Sequence, residues 1–166
     1  MTAPAPGDDE QFRLDGDSAH RDVTQVVRHV LDRARHHGLP AEAAARLRLA
    51  VEELATNIAV HGYRGHPAEV RPLTVSDGRC DDGTVWVRLA DLAPPFDPTA
   101  APPPADLDAP LEQRWEGGLG IFLASQSLDV FRYERSRDAN VVTLGVRPGA
   151  GGTAATGPGG DRGAGS

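Results

Sequence analysis

Val23, Val26, Val27, Val30, Leu31 and Ala34 recur at intervals of three and four residues, which places them on one face of an α-helix. Polar residues fill the positions between them, so the segment predicts an amphipathic helix. Ser18 or Asp17 can cap its start and Gly38 suits its end, because a short polar side chain satisfies free N–H groups and glycine tolerates a left-handed stop. A second stripe of Leu47, Val51, Leu54 and Ile58 predicts a second helix. Pro40 falls in its first turn, Glu42 near its positive end and Gly62 just after its last residue.

Elsewhere the period shifts to two. Phe12 and Leu14 alternate with polar neighbours and predict a short strand over 11–15. Strands follow at about 70–77 and 84–91, joined by a Cys80-Asp81-Asp82-Gly83 turn. Val85, Val87 and Leu89 alternate with Trp86, Arg88 and Ala90, the pattern of a sheet covered on one face. A short helix over 119–127 and strands near 129–135 and 140–147 complete the series. The order β-α-α-β-β-loop-α-β-β predicts a two-layer α/β (α+β) sandwich, with helices on one face of an antiparallel or mixed sheet. The folded domain is set at 11–147, with tails at 1–10 and 148–166 that carry too little apolar surface to order themselves. The connection from Leu92 to Gly118 holds seven prolines and is too long for an ordinary connector.

Composition narrows the chemistry. All 17 basic residues are arginine and none is lysine. A Walker A loop, the strand lysine of eukaryotic-type protein kinases and Schiff-base catalysis are therefore excluded. The net charge of −7 and the sequence pI of about 5.3 disfavour a surface for a phosphate backbone, so no direct nucleic-acid partner is expected. The single cysteine, Cys80, allows neither an internal disulfide nor a multi-cysteine zinc site. No apolar run approaches a membrane span and the amino terminus lacks a signal pattern, so the expectation is a cytoplasmic protein. His29, His36 and His37 are expected on a solvated helix face rather than around a metal.

Three segments can carry chemistry. In the second helix, Glu53 and Asn57 are four residues apart and so neighbours on one face, at the border of the apolar stripe. A carboxylate and an amide there suit a general base and a magnesium ligand over an adjacent cavity. Taken alone, the pair also has an ordinary explanation, a solvated glutamate beside a satisfied asparagine. At the end of the 84–91 strand, Asp91-Leu-Ala-Pro-Pro-Phe-Asp-Pro98 places a carboxylate where it can accept a hydrogen bond from a base amino group, with Phe96 as an apolar wall. The alternative is a proline-rich turn started by Asp97 before Pro98. Finally, Gly117-Gly118-Leu119-Gly120-Ile121 opens a helix, and glycine amides at a helix start attract anions. A hinge is the alternative there.

Together, in this order and with a long segment between the second and third, these features resemble the histidine-kinase/gyrase/Hsp90-type ATPase superfamily with its Bergerat nucleotide fold. More narrowly, the chain resembles the small bacterial anti-sigma factor serine/threonine kinases over most of 11–147. His61-Gly62-Tyr63, Arg132-Tyr133-Glu134-Arg135 and Asn140-Val-Val-Thr-Leu144 agree with it. The resemblance implies that Glu53 is the base, that Asn57 holds Mg2+, and that Asp91 reads the adenine amino group of ATP. It also implies that Gly118 and Gly120 wrap the phosphates, with Gly117, Leu119 and Ile121 beside them, and that 98–117 is the ATP lid. The chain departs from the family at Ala93 and Pro95, where glycines are usual, and at Asn140, which takes the place of a threonine; by the same resemblance these three and Phe96 are expected among the nucleotide-binding residues.

The implied activity is phosphorylation of a serine on an anti-sigma factor antagonist of the STAS type, with ATP and Mg2+. The alternative is a non-catalytic, nucleotide-responsive module that sequesters a sigma factor or antagonist. Homodimerisation is an expectation of the family only.

Overall fold

The computed structural model describes residues 9–15, 18–63, 71–100 and 118–149. Strand β1 (Glu10–Leu14) leads into helix α1 (Ala19–His36), and α2 (Ala41–Asn57) passes directly into one π-helical turn over Ile58–Gly62. Strands β2 (Arg71–Arg79) and β3 (Val85–Asp91) precede a short 3₁₀ turn at Pro98–Ala100. Helix α3 (Gly118–Gln126) and strands β4 (Val130–Ser136) and β5 (Ala139–Val146) complete the described chain.

The five strands run in the order β1-β2-β3-β5-β4, and every neighbouring pair is antiparallel. The mixed sheet allowed by the sequence reading thus resolves to a wholly antiparallel one. Val75, Leu89 and Val142 lie opposite one another across three strands, and Val85 lies opposite Val146 across two. These residues face the helices and are almost fully buried with Val26, Val30, Leu47 and Val51. Burying such a set at roughly 1.5–3 kcal/mol per large apolar side chain makes the helix–sheet interface the main source of stability.

Local departures have local causes. Strand β1 begins at Glu10, inside the expected tail, and the preceding Asp9 carboxylate accepts a 2.5 Å hydrogen bond from Ser76 Oγ. Residues 1–8 and 150–166 of the expected tails, Asp17 as a cap, and 101–117 of the expected lid lie outside the described residues. Ser18 occupies the N-cap of α1 without capping it through its own side chain. Its hydroxyl donates to Asp22 Oδ2 at 2.9 Å, and the same oxygen accepts from the Asp15 N–H at 2.9 Å. Gly38 stops the helix with φ +73°. Pro40 is the N-cap of α2 rather than a member of its first turn. Gly62 ends the π-turn, not the α-helix.

The outer face of the sheet is not uniformly solvated. Trp86, expected on the polar side, is 3% exposed. It lies against Gly78, its β2 partner, where an added Cβ would come within 2.5 Å of the indole. The Arg88 guanidinium sits 5.5 Å from the ring, a cation–π distance.

Of the three histidines expected on a solvated face, His36 is exposed while His29 and His37 are partly buried. His29 packs edge-on against Phe12 at 5.4 Å. His37 Nε2 is 2.5 Å from Oδ2 of Asp77. Among the described residues no group of three or more His, Cys, Asp or Glu side chains could hold a metal, and no helix is long and apolar enough to cross a membrane.

Candidate functional site

The antiparallel register produces a row of polar residues at one end of an otherwise apolar surface. Asp91, the last residue of β3, lies opposite Leu73 of β2 and opposite Asn140 of β5, and Asn140 lies opposite Arg135 of β4. Because side chains alternate along a strand, Asp91 shares its face with Leu89 and Val87, which belong to the core beneath the helices. The row Asp91–Asn140–Arg135 therefore borders the space between the sheet and the helices.

Asp91 is 4% exposed. Its Oδ1 accepts from the Ala93 N–H at 2.8 Å and from Asn140 Nδ2 at 3.0 Å. Oδ2 has no hydrogen-bond partner among the described residues. Burial pushes the Asp91 carboxyl above the usual aspartate range, while the bonds from Asn140 and Ala93 and the nearby Arg135 charge pull the other way. A carboxylate oxygen without a partner retains its full capacity to accept a hydrogen bond.

The segment after Asp91 is held from two sides. On one side, Tyr63 Oη accepts from the Leu92 N–H at 3.1 Å and donates to the Pro72 carbonyl at 3.3 Å. Burial raises its phenol pKa. Arg71 lies 5.8 Å from the Tyr63 ring and donates to the Ala59 carbonyl at 2.6 Å, satisfying an acceptor that the π-turn exposes. On the other side, the Asn140 amide nitrogen donates to the Ala93 and Pro94 carbonyls at 3.2 and 3.1 Å. Its oxygen accepts from the Phe96 N–H, Tyr133 Oη and Arg135 at 3.2, 3.0 and 2.9 Å. Arg135 donates to the Ala93 carbonyl as well, at 2.9 Å. Pro95 is exposed, and the Phe96 ring is 49% exposed. Asp97 starts a turn by accepting from the Thr99 N–H at 2.8 Å, as the proline-rich turn reading expects.

Helix α2 supplies Glu53 and Asn57, both half-buried. Asn57 is the last α-helical residue before the π-turn, and π-turns within helices are frequent at functional sites. Two glycines bring the neighbouring segments onto this helix. A Cβ at Gly62 would come within 3.4 Å of the Ala93 Cβ, so the turn touches the segment after Asp91. A Cβ at Gly120, in the first turn of α3, would overlap the Glu53 carboxylate at Oε2 and Cδ. The carboxylate thus lies on bare backbone at the positive end of α3, where negative charge is favoured. Gly118 and Leu119 open α3, while Ile121 is 3% exposed and belongs to the core. Gly117 lies outside the described residues.

The fold thus brings the 91–98 segment and the start of α3 against the end of α2 and its π-turn. Tyr63 lies in His61-Gly62-Tyr63, and Tyr133 and Arg135 in Arg132-Tyr133-Glu134-Arg135, but their roles are not visible in the sequence. The alternation Phe131, Tyr133, Arg135 was the available signal, since it puts Arg135 on the face of Tyr133. For Arg71 there was no signal.

Three solved structures are similar to this chain at low identity. The RsbU and RsbW domains of Rv1364c from Mycobacterium tuberculosis superpose with a TM-score of 0.50 at 19% identity, over 86% of this chain and 33% of that one. The Erythrobacter litoralis EL346 blue-light activated histidine kinase gives 0.48 at 19% identity, over 66% and 32%. The Acinetobacter baumannii histidine kinase AdeS gives 0.45 at 12%, over 84% and 68%. This chain spans about a third of the length of the first two proteins. No curated protein matches it in sequence. The family model for the histidine kinase-like ATPase domain matches residues 17–146. A match over that span, on an open antiparallel sheet with its helices on one face, establishes that the chain belongs to the histidine kinase-like ATPase family.

Proposed function

We propose that the chain is an ATP-dependent protein serine kinase of the anti-sigma factor type, acting on a serine of an anti-sigma factor antagonist. The observation that carries the nucleotide part is Asp91, a buried carboxylate with one oxygen tied down and the other unpartnered. An adenine amino group donates two hydrogens, and such an oxygen complements it, whereas the carbonyl of guanine would present acceptor to acceptor.

In this reading Asp91 orients the base, and the first turn of α3 takes the phosphates beside Glu53 and Asn57. The serine Oγ attacks the γ-phosphorus in line as the bond to the ADP oxygen breaks, and the hydroxyl proton passes to a Glu53 carboxylate oxygen. The donor set suits Mg2+, because Asn57 offers a hard amide oxygen and this ion takes few protein ligands. When bound, the ion neutralises charge on the phosphate oxygens. Glu53 must leave its position on Gly120 to admit phosphate there, since two anions cannot share one helix end. Support for the anti-sigma assignment comes from the motif resemblance; the structural likeness to an RsbW-containing chain concerns the fold alone.

A second reading, a module that binds nucleotide and sequesters a sigma factor or antagonist without transfer, is favoured by one feature. The Ala93 N–H is bonded to Asp91 and Pro95 has no N–H, so this segment offers few amides to a nucleotide. Labelled ATP incubated with the antagonist separates the two. Transfer that falls by roughly 10²–10⁴ in Glu53→Gln, with ATP binding retained, supports the kinase. Tight binding without transfer overturns it in favour of the module.

A further inference from the structure

The motif resemblance leads one to expect a threonine at position 140, and the surroundings of Asn140 explain why a threonine would not serve here. Six polar atoms surround the 3% exposed amide. Three are acceptors, namely Asp91 Oδ1 and the Ala93 and Pro94 carbonyls. Three are donors, namely the Phe96 N–H, Tyr133 Oη and Arg135. Two carbonyls and a carboxylate can face only the NH₂ end, and a guanidinium and an amide N–H can face only the oxygen, so the amide orientation is dictated. A threonine hydroxyl has one proton for three acceptors. An aspartate would set a second carboxylate oxygen against the first. Because both ends of Asn140 are occupied by protein, it has no group left for a nucleotide base.

We infer that Asn140, itself held by Arg135, is a positioning residue that sets the base specificity of the site by holding Asp91 Oδ1 and the 93–96 segment, so that Asp91 Oδ2 alone is presented to the 6-amino group of adenine. The inference rests on the reading of Asp91 given above. It assigns to Asn140 no contact with the nucleotide, and it makes the Asp91–Asn140–Arg135 row, continuous across β3, β5 and β4, the device that replaces the missing glycines at Ala93 and Pro95. The loop order that a glycine-rich turn achieves through backbone freedom is obtained here by tying two carbonyls and an N–H to one amide.

The test compares ATP with purine riboside triphosphate, which lacks only the 6-amino group, by calorimetry on the whole chain. The wild type is expected to prefer ATP by roughly ten- to a hundredfold. In Asn140→Ala that preference is expected to fall below about threefold while affinity for the analogue changes little, since a freed Asp91 loses its aim but the phosphate contacts remain. Equal loss for both nucleotides would mean that Asn140 merely supports the fold, and would overturn the inference. A wild type without preference would overturn the Asp91 reading itself. A preference that survives in Asn140→Ala would overturn only the positioning role. Should Asn140→Ala fail to fold, Arg135→Ala decides, because this exposed side chain contributes one of the six contacts and the Ala93 bond. The preference is then expected to fall by about two- to fivefold, a partial loss of one charge-assisted bond, and an unchanged preference overturns the inference.

Discussion

Two aspartates face the helices from adjacent strands, and their environments differ in one respect. Asp77 on β2 is 2% exposed and Asp91 on β3 is 4% exposed. Asp77 has both oxygens paired. Arg33 Nε donates to Oδ1 and Oδ2 at 2.9 and 3.0 Å, and His37 Nε2 lies 2.5 Å from Oδ2. Arg79 completes the corner by donating to the His37 carbonyl at 3.0 Å. This carboxylate fastens the end of α1 to the sheet and has nothing left to offer. Asp91 keeps one oxygen without a partner among the described residues, so at similar burial it is the one proposed as a ligand group. What separates the two carboxylates is the number of satisfied lone pairs, not depth.

The largest effect should come from breaking the satisfied member. Asp77→Ala removes the partner of a partly buried guanidinium and is expected to destabilise the fold by about 3 kcal/mol, read as a lower midpoint in urea denaturation. The ATP affinity of the folded fraction should stay unchanged. A loss of affinity without a loss of stability would reverse the contrast.

Asp91→Asn should do the opposite. Its amide oxygen can keep the bonds from Ala93 and Asn140, and the charge that burial disfavours is gone, so thermal stability should hold or rise. ATP affinity should fall roughly ten- to a hundredfold, because a donor now meets the adenine amino group. Unchanged affinity in calorimetry would remove Asp91 from the site.

The pH dependence gives a smaller and more selective effect. The folded-state pKa of Asp91 is raised by burial, so its ionised form opposes folding. That penalty is relieved as pH falls through the raised value and is present in full well above it. Binding follows the reverse course, since protonation puts a hydroxyl before an amino donor. As pH falls from neutral through the raised value, wild-type ATP affinity should decline more than that of Asp91→Asn. Parallel curves would show that Asp91 does not titrate into the binding site.

The smallest change marks the baseline. Arg48 and Glu52 form an exposed i,i+4 pair at 2.9 Å, and Arg48→Ala should cost at most about 0.5 kcal/mol with no change in ATP affinity. An effect as large as that of Asp77→Ala would mean that exposed pairs matter as much as buried ones in this fold.

Most of the architecture could be read from periodicity. The apolar stripes of α1 and α2, the alternation in β3 and the glycine stop at Gly38 are local, and each element's face follows from the spacing of its own residues. The antiparallel pairing of every strand was not legible, because the order of elements admits mixed sheets. Nothing in its own helix reveals that His37 meets Asp77, 40 positions away. The burial of Trp86 on the outer face is hidden likewise, because its glycine neighbours, Gly78 and Gly145, come from other strands.

At the candidate site the division is similar. The residue types alone determined which groups are able to act as acid, base, acceptor or anion seat, since that chemistry belongs to each side chain and its neighbours in the chain. Only the tertiary structure decided that Asn140 faces Asp91 across a strand pair, that Arg135 joins them from β4, and that Glu53 rests on Gly120. These contacts join residues as far as 67 positions apart in the case of Glu53 and Gly120, where register and helix packing, not local propensity, choose the partners.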